Sequence, residues 1–184
     1  MREGCDAGTA GTVRLRLIGD PILRTPARAV ARFDANLRHL VRTMRSVMVA
    51  HHGAGLAANQ IGVDLAVFVL DCDGVSGVVV NPVVEELSDE TLVEMEGCLS
   101  IPGRSYPTPR AASTTVSGCD ENGDPMVLSG HGWLARCLQH ETDHLQGRVY
   151  LDRLPGRQRQ QAWADLEVPT GADTGSKSFG QFRR

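Results

Sequence analysis

Leu138-Gln139-His140-Glu141-Thr142-Asp143-His144-Leu145 is the stretch that decides how this chain is read. It carries an HExxH pattern inside an apolar-periodic segment, which predicts a helix from about Gly132 to Gln146 that stops at Gly147. Residues four apart share a helix face, so His140 and His144 can both reach one metal ion. Glu141 is offset by one residue, close enough to work on an activated water without ligating the metal itself. That set suits metal-assisted hydrolysis of a carbonyl. It does not say which carbonyl, and it leaves the metal one protein ligand short.

Outward from this helix the chain alternates strand signals with turn punctuation. Gly19-Asp20-Pro21 and Thr25-Pro26 mark the entry to the fold. Asp34 is placed to cap a helix through about Ala50, with Leu37, Leu40, Val41, Met44, Val47 and Met48 at helical spacing. His51-His52-Gly53 ends that helix, glycine suiting the left-handed cap. The adjacent histidines point about 100° apart on a helix, which favours capping over ligation. Strands are expected at Leu65–Leu70, then at Gly77–Val80 after a turn at Asp71-Cys72-Asp73-Gly74, the second closed by Asn81-Pro82. Further strands are expected at Val83–Leu87, Thr91–Met95, Thr114–Ser117 and Pro125–Ser129, the last two joined by a hairpin at Asn122-Gly123. A polar helix follows at Pro155–Leu166. This is one α+β domain, with mainly antiparallel sheets around a central helix carrying HExxH, a helix near the N-terminus and a helix near the C-terminus. It is expected to span residues 14–167, between a flexible segment at 1–13 and a disordered tail from 168.

With 184 residues the chain is long enough to bury a core and short for two domains. A net charge of −3 and the lack of a dense Lys/Arg stripe give no expectation of nucleic-acid specificity. The basic cluster Lys177, Arg183, Arg184 reads as a solvated terminus. No apolar run is long enough to cross a bilayer. Five cysteines, an odd number with no CxxC spacing, argue against a disulfide framework and for a reducing cytoplasm.

Cys98 is the best candidate for the missing ligand. It follows a strand signal within Glu96-Gly97-Cys98-Leu99-Ser100, and glycine beside it lets backbone approach a metal closely. A thiolate is a strong ligand for zinc or iron(II). A lone cysteine is usually a small buried hydrophobe; a nearby site lacking one ligand reverses that preference. Cys72 and Cys119 read as structural, His39 as a helix-surface group and His131 as a loop or N-terminal group. Glu96 and Arg110 form a plausible supporting ion pair.

Three segments together resemble the signature motifs of the peptide deformylases: Gly53-Ala54-Gly55-Leu56-Ala57-Ala58-Asn59-Gln60, Glu96 to Ser100, and His140 to His144. Gly19 to Arg24 and Asn81-Pro82 also look like that family, so the resemblance covers roughly Leu15 to Leu154. It implies an enzyme that removes the formyl group from the N-terminal formyl-methionine of nascent polypeptides and releases formate. It implies one divalent metal held by Cys98, His140 and His144, iron(II) in the cell, with zinc, nickel or cobalt able to occupy the site. Glu141 is then the acid–base group, and the Gln60 side-chain amide and the Leu99 backbone N–H meet the developing oxyanion. Ala54 and Gly55 would line the cleft and pair with substrate backbone. Trp133 and Cys137, four apart on the HExxH helix, match methionine-pocket positions. Ala54 is smaller than the residue often found there, which widens the cleft entrance. Transient ribosome contact is possible, and a monomer is the default.

Two other readings compete. One is a peptidase whose third ligand is Asp165 or Glu167; the other is a metal-stabilised binding module, which would have no need of Glu141 or Gln60.

Overall fold

A computed structural model describes residues 13–167. The flexible segment expected at 1–13 lies outside the described residues except for Val13, and so do the tail from 168 and its basic cluster. The chain enters through a 3-10 turn, Pro21–Arg24, capped by the Asp20 carboxylate, which accepts from the Ile22 N–H at 3.1 Å. Helix α1 spans Ala35–Ala50, and the Asp34 carboxylate accepts from the N–H groups of Asn36 and Leu37 at 2.9 and 3.2 Å. Its apolar face, Leu37, Val41, Met44 and Met48, is buried. The helix ends as expected, but the left-handed residue is His52, with φ 55°, and not Gly53. Glycine at 53 serves a close approach instead: a Cβ there would sit 2.8 Å from the Leu99 side chain.

Seven strands follow: β1 (Gly55–Ala57), β2 (Val67–Cys72), β3 (Val75–Leu87), β4 (Thr91–Cys98), β5 (Ile101–Ala111), β6 (Ser113–Cys119) and β7 (Pro125–His131). Five form an antiparallel sheet in the order β1-β2-β3-β6-β7, and β4 pairs with β5 in a separate ribbon. The β2–β3 hairpin turns on Asp73 and Gly74 alone, both left-handed at φ 55° and 77°. Asp71 and Cys72 therefore belong to the strand, not to the expected turn.

The strand end expected at Asn81-Pro82 is a bulge. Asn81 takes φ 54°, the β3–β6 register shifts between Val80 and Val83, and the strand runs on to Leu87. The Asn81 side chain fastens the kink to Val30, accepting from its N–H at 2.7 Å and donating to its carbonyl at 3.0 Å. Strands β1 and β5 have no counterpart in the sequence reading. Three residues are too few to show alternation, and β5 carries Pro102, Pro107 and Pro109, which argue against a strand anywhere but in an edge ribbon.

Helix α2 (Gly132–Leu145) touches β1, β2, β3, β6 and β7 of the large sheet and β5 of the ribbon. Every residue from Leu134 to Leu145 is buried, polar ones included. A helix enclosed on all sides normally reads as apolar all round; this one carries Arg136, Gln139, His140, Glu141, Thr142, Asp143 and His144 into the interior. Helix α3 (Gly156–Glu167) closes the fold, with Arg24 lying over the Trp163 ring at 4.8 Å. No helix among the described residues is long and apolar enough to cross a membrane.

Replacing Asp34 by Ala removes the α1 cap and is expected to lower stability by about 1 kcal/mol. Urea unfolding checks this; an unchanged midpoint would show that the cap contributes nothing.

Candidate metal centre and cleft

Cys98 ends β4 where the pairing with β5 shifts register between Gly97 and Cys98, and it pairs directly with Ile101. This tight corner turns the thiol towards α2. There Cys98 Sγ lies 3.2 Å from His144 Nε2, which lies 3.2 Å from His140 Nε2. The three donor atoms fall within 4.8 Å of one another. Helical spacing supplies the two imidazoles and the ribbon supplies the sulfur.

The surrounding groups fit a bound cation. Burial opposes ionisation of Cys98, but the His144 and His140 rings outweigh it and draw the thiol down to about 5, into the thiolate form that binds metals. Burial likewise disfavours a charged His140, yet its contacts with Cys98 and Glu96 raise its pKa well above the ordinary value. A pocket that pulls a proton this strongly onto an imidazole has the negative potential to hold a metal in the proton's place. His140 Nδ1 faces Glu96 Oε1 at 2.7 Å, leaving Nε2 directed at the cluster.

Glu96 is 2% exposed and fully engaged. Arg110 grips it with two contacts, Nε to Oε2 at 3.1 Å and Nη2 to Oε1 at 2.6 Å, and Arg136 Nη1 reaches Oε2 at 2.6 Å. The Glu96–Arg110 pair is as expected. The rest of its network is absent from the sequence reading: Arg110 also holds Asp143, inside HExxH, and Arg153 donates to Asp143 through Nε at 2.9 Å. Arg136 sits four residues before His140, so helical spacing alone could have placed it beside the metal face.

Glu141 is the contrasting carboxylate. Burial pushes its pKa up to about 7, against the opposing influence of the His140 and His144 rings. Its Oε2 is buried without a hydrogen-bond partner. A Cβ on Gly55 would run into this carboxylate, so glycine is required there for close approach. Gln60, 1% exposed, accepts from the Ala57 N–H through Oε1 at 2.8 Å. That fixes the amide so that Nε2 donates to Ser100 Oγ at 3.1 Å and faces Cys98 Sγ at 3.5 Å.

These groups open on one cleft of about 430 Å³. Ala54, Gly55, Gln60, Cys98, Leu99, Trp133, Cys137, His140 and Glu141 all line it, and His144 lies behind its floor with no exposed surface. Asp165, one of the alternative ligands, instead accepts from Tyr106 Oη at 2.9 Å and from Gln161 at 2.8 Å.

A buried Cys-His-His cluster beside a buried carboxylate, set between an antiparallel sheet and a ribbon, is the arrangement of a metallohydrolase. Residues 13–160 match the polypeptide deformylase family model. The chain is 52% identical over 148 residues to the peptide deformylase of Acidothermus cellulolyticus, covering 80% of this chain and 82% of that one. It is 48% identical over 162 residues to peptide deformylase 2 of Streptomyces avermitilis, covering 85% and 87%. The structure of a Synechococcus elongatus peptide deformylase in complex with actinonin matches with a TM-score of 0.79 at 38% identity, covering 89% and 91%. The chain belongs to the peptide deformylase family, metal-dependent enzymes that remove the N-formyl group from N-terminal formyl-methionine of newly made polypeptides.

Replacing Arg110 by Ala leaves Glu96 and Asp143 short of a buried cation. A loss of about 3–5 kcal/mol of stability is expected, together with lower metal retention. Urea unfolding and metal analysis after gel filtration check both, and unchanged metal content would count against a role for Arg110 in holding the Cys98 corner.

Proposed function

We propose that Cys98, His140 and His144 hold one iron(II) ion, and that the cleft above it deformylates formyl-methionyl chains. The observation that carries this reading is the convergence of the three donor atoms beneath the unpartnered Glu141 oxygen. Zinc, nickel or cobalt is compatible with the same donors. When bound, the metal supplies Lewis-acid polarisation and lowers the pKa of water.

The protein groups perform the rest. Glu141, with a pKa near 7, takes a proton from the attacking water and delivers it to the departing amine. The Gln60 amide, held by Ala57 and Ser100, and the Leu99 N–H stabilise the negative charge that develops on the formyl oxygen. β1 is an edge strand of the large sheet, so its outer edge beginning at Gly55 suits pairing with an extended substrate backbone, beside Ala54, whose carbonyl accepts from the Asp71 N–H at 2.8 Å. Trp133 and Cys137 offer an apolar wall for the methionine side chain. A monomer acting in the cytoplasm, in transient contact with the ribosome, is consistent with this substrate.

Replacing Glu141 by Gln should leave about one metal per chain and lower formate release from formyl-Met-Ala-Ser by about 10²–10⁴-fold. Replacing Cys98 by Ser should lose the metal itself. The measurements are metal analysis and turnover of iron-loaded protein prepared without oxygen. Full turnover by the Glu141 variant would sink the assigned role, and metal retention by the Cys98 variant would sink the ligand set.

A further inference from the structure

Gly147 closes α2 in the left-handed conformation, φ 71°, and a Cβ there would stand 2.7 Å from the Arg24 carbonyl oxygen. The chain therefore doubles back tightly against the entry turn. It then forms a 3-10 turn, Tyr150–Arg153, in which the Asp152 carboxylate accepts from the Val149 N–H at 2.9 Å. Side chains three apart eclipse in such a turn, so Tyr150 and Arg153 leave it on one side. Their partners on α2, His140 and Asp143, are also three apart and share a helix face. Arg153 holds Asp143, and the Tyr150 ring stacks on the His140 imidazole with centroids 6.2 Å apart and planes 24° from parallel. Tyr150 is itself fixed. It is 1% exposed, its hydroxyl donates to the Arg104 carbonyl at 3.1 Å, and it shares a buried apolar cluster with Cys98, Ile101 and Leu151.

We propose that Tyr150 is a positioning residue for the metal, its ring setting the tilt of His140 and so the direction of the Nε2 donor. The Glu96 carboxylate meets His140 Nδ1 at 2.7 Å and fixes that nitrogen. The angular tolerance of a hydrogen bond still leaves the imidazole able to swing out of plane. The His144 ring meets His140 at 70° and offers it no parallel face. On one side His140 lines the cleft, where substrate and water come and go. Tyr150 does not line the cleft, so its ring backs the imidazole from behind. A ring at this separation and tilt attracts the imidazole over its face, which an aliphatic side chain of similar bulk does not do. Tyr150 touches no reacting atom and acts through His140 alone. This deepens the proposed metal site and rests on Cys98, His140 and His144 as its ligands.

Cobalt(II)-loaded Tyr150→Leu and Tyr150→Phe proteins test the proposal. Leucine keeps a buried apolar side chain without the ring, and phenylalanine keeps the ring without the hydroxyl. The Leu variant should still take up cobalt, but with shifted d–d absorption and release to a chelator about 10- to 100-fold faster. Its kcat for formyl-Met-Ala-Ser should fall by a similar factor with KM unchanged, because the cleft walls that bind the substrate are untouched. The Phe variant should restore the spectrum and release rate of the unmodified protein. Urea unfolding shows whether the Leu variant folds; if it does not, Tyr150→Met takes its place. Spectrum and release rate are read without turnover, so they do not depend on which amide the site hydrolyses. An unmodified protein whose cobalt spectrum lacks a thiolate charge-transfer band would overturn the ligand set, and the proposal with it. With that band present, a Leu variant of unchanged spectrum and release rate would overturn the role of Tyr150 alone. So would a Phe variant as impaired as the Leu variant.

Discussion

Glu96 is almost wholly removed from water, and a carboxylate in that position is tolerated only when both oxygens are engaged. Its donors come from two other elements, Arg110 on β5 and Arg136 and His140 on α2. The β4–β5 ribbon shares no strand pairing with the five-stranded sheet, so this carboxylate is a principal polar tie between the ribbon and the central helix. Cys98 stands two residues further along β4, and the same tie therefore sets where the thiol meets the imidazoles. Arg110 extends the tie to Asp143 and, through it, to Arg153. An apolar replacement of equal volume could match this network in stability. What it could not do is orient His140 while holding the Cys98 corner.

Two carboxylates within one cleft have opposite properties, and the difference lies in their neighbours. Glu96 contacts two guanidinium groups and an imidazole; burial opposes its charge, but His140 and Arg110 outweigh it and hold it ionised far below the usual carboxylate range. Glu141 has one buried oxygen with no donor, and burial raises it to about 7. The first is therefore fixed as an anion and the second is poised to exchange a proton near neutrality, a division of labour that environment alone imposes.

Much of this was legible in the chain because the chemistry is local. HExxH fixes two imidazoles by helical period, and Asp34 with the apolar positions after it fixes α1 to the residue. The Cys98 corner was legible only as a missing ligand, since nothing local says that a strand end will meet a helix forty residues later. The prolines of β5 and the three residues of β1 hid both strands, for opposite reasons: one violates the usual strand composition and the other is too short to display it. Asn81-Pro82 reads as a stop because the sequence does not show the Val30 backbone groups that satisfy the bulge. Gly55 reads as a cleft residue, but why it must be glycine is hidden until Glu141 is seen pressed against it. The bulge and the close approach at Gly55 each involve a partner distant in sequence.

The acid-free run from Ala35 to Val63 separates into two parts with different causes. Around Gly53 to Gln60 an additional carboxylate would stand against Glu141 and the thiolate, and like charges at such range inside a protein are costly. That explains the cleft segment without reference to any partner. It does not reach Arg38 to Arg45, which lie about 10 Å or more further along α1, on a solvated face where a Debye length of about 8 Å screens the cleft's charge. On α1 itself the positions one turn before Arg42 and Arg45 are Arg38 and the buried Val41, so a Glu→Arg pair along that face is not open to them.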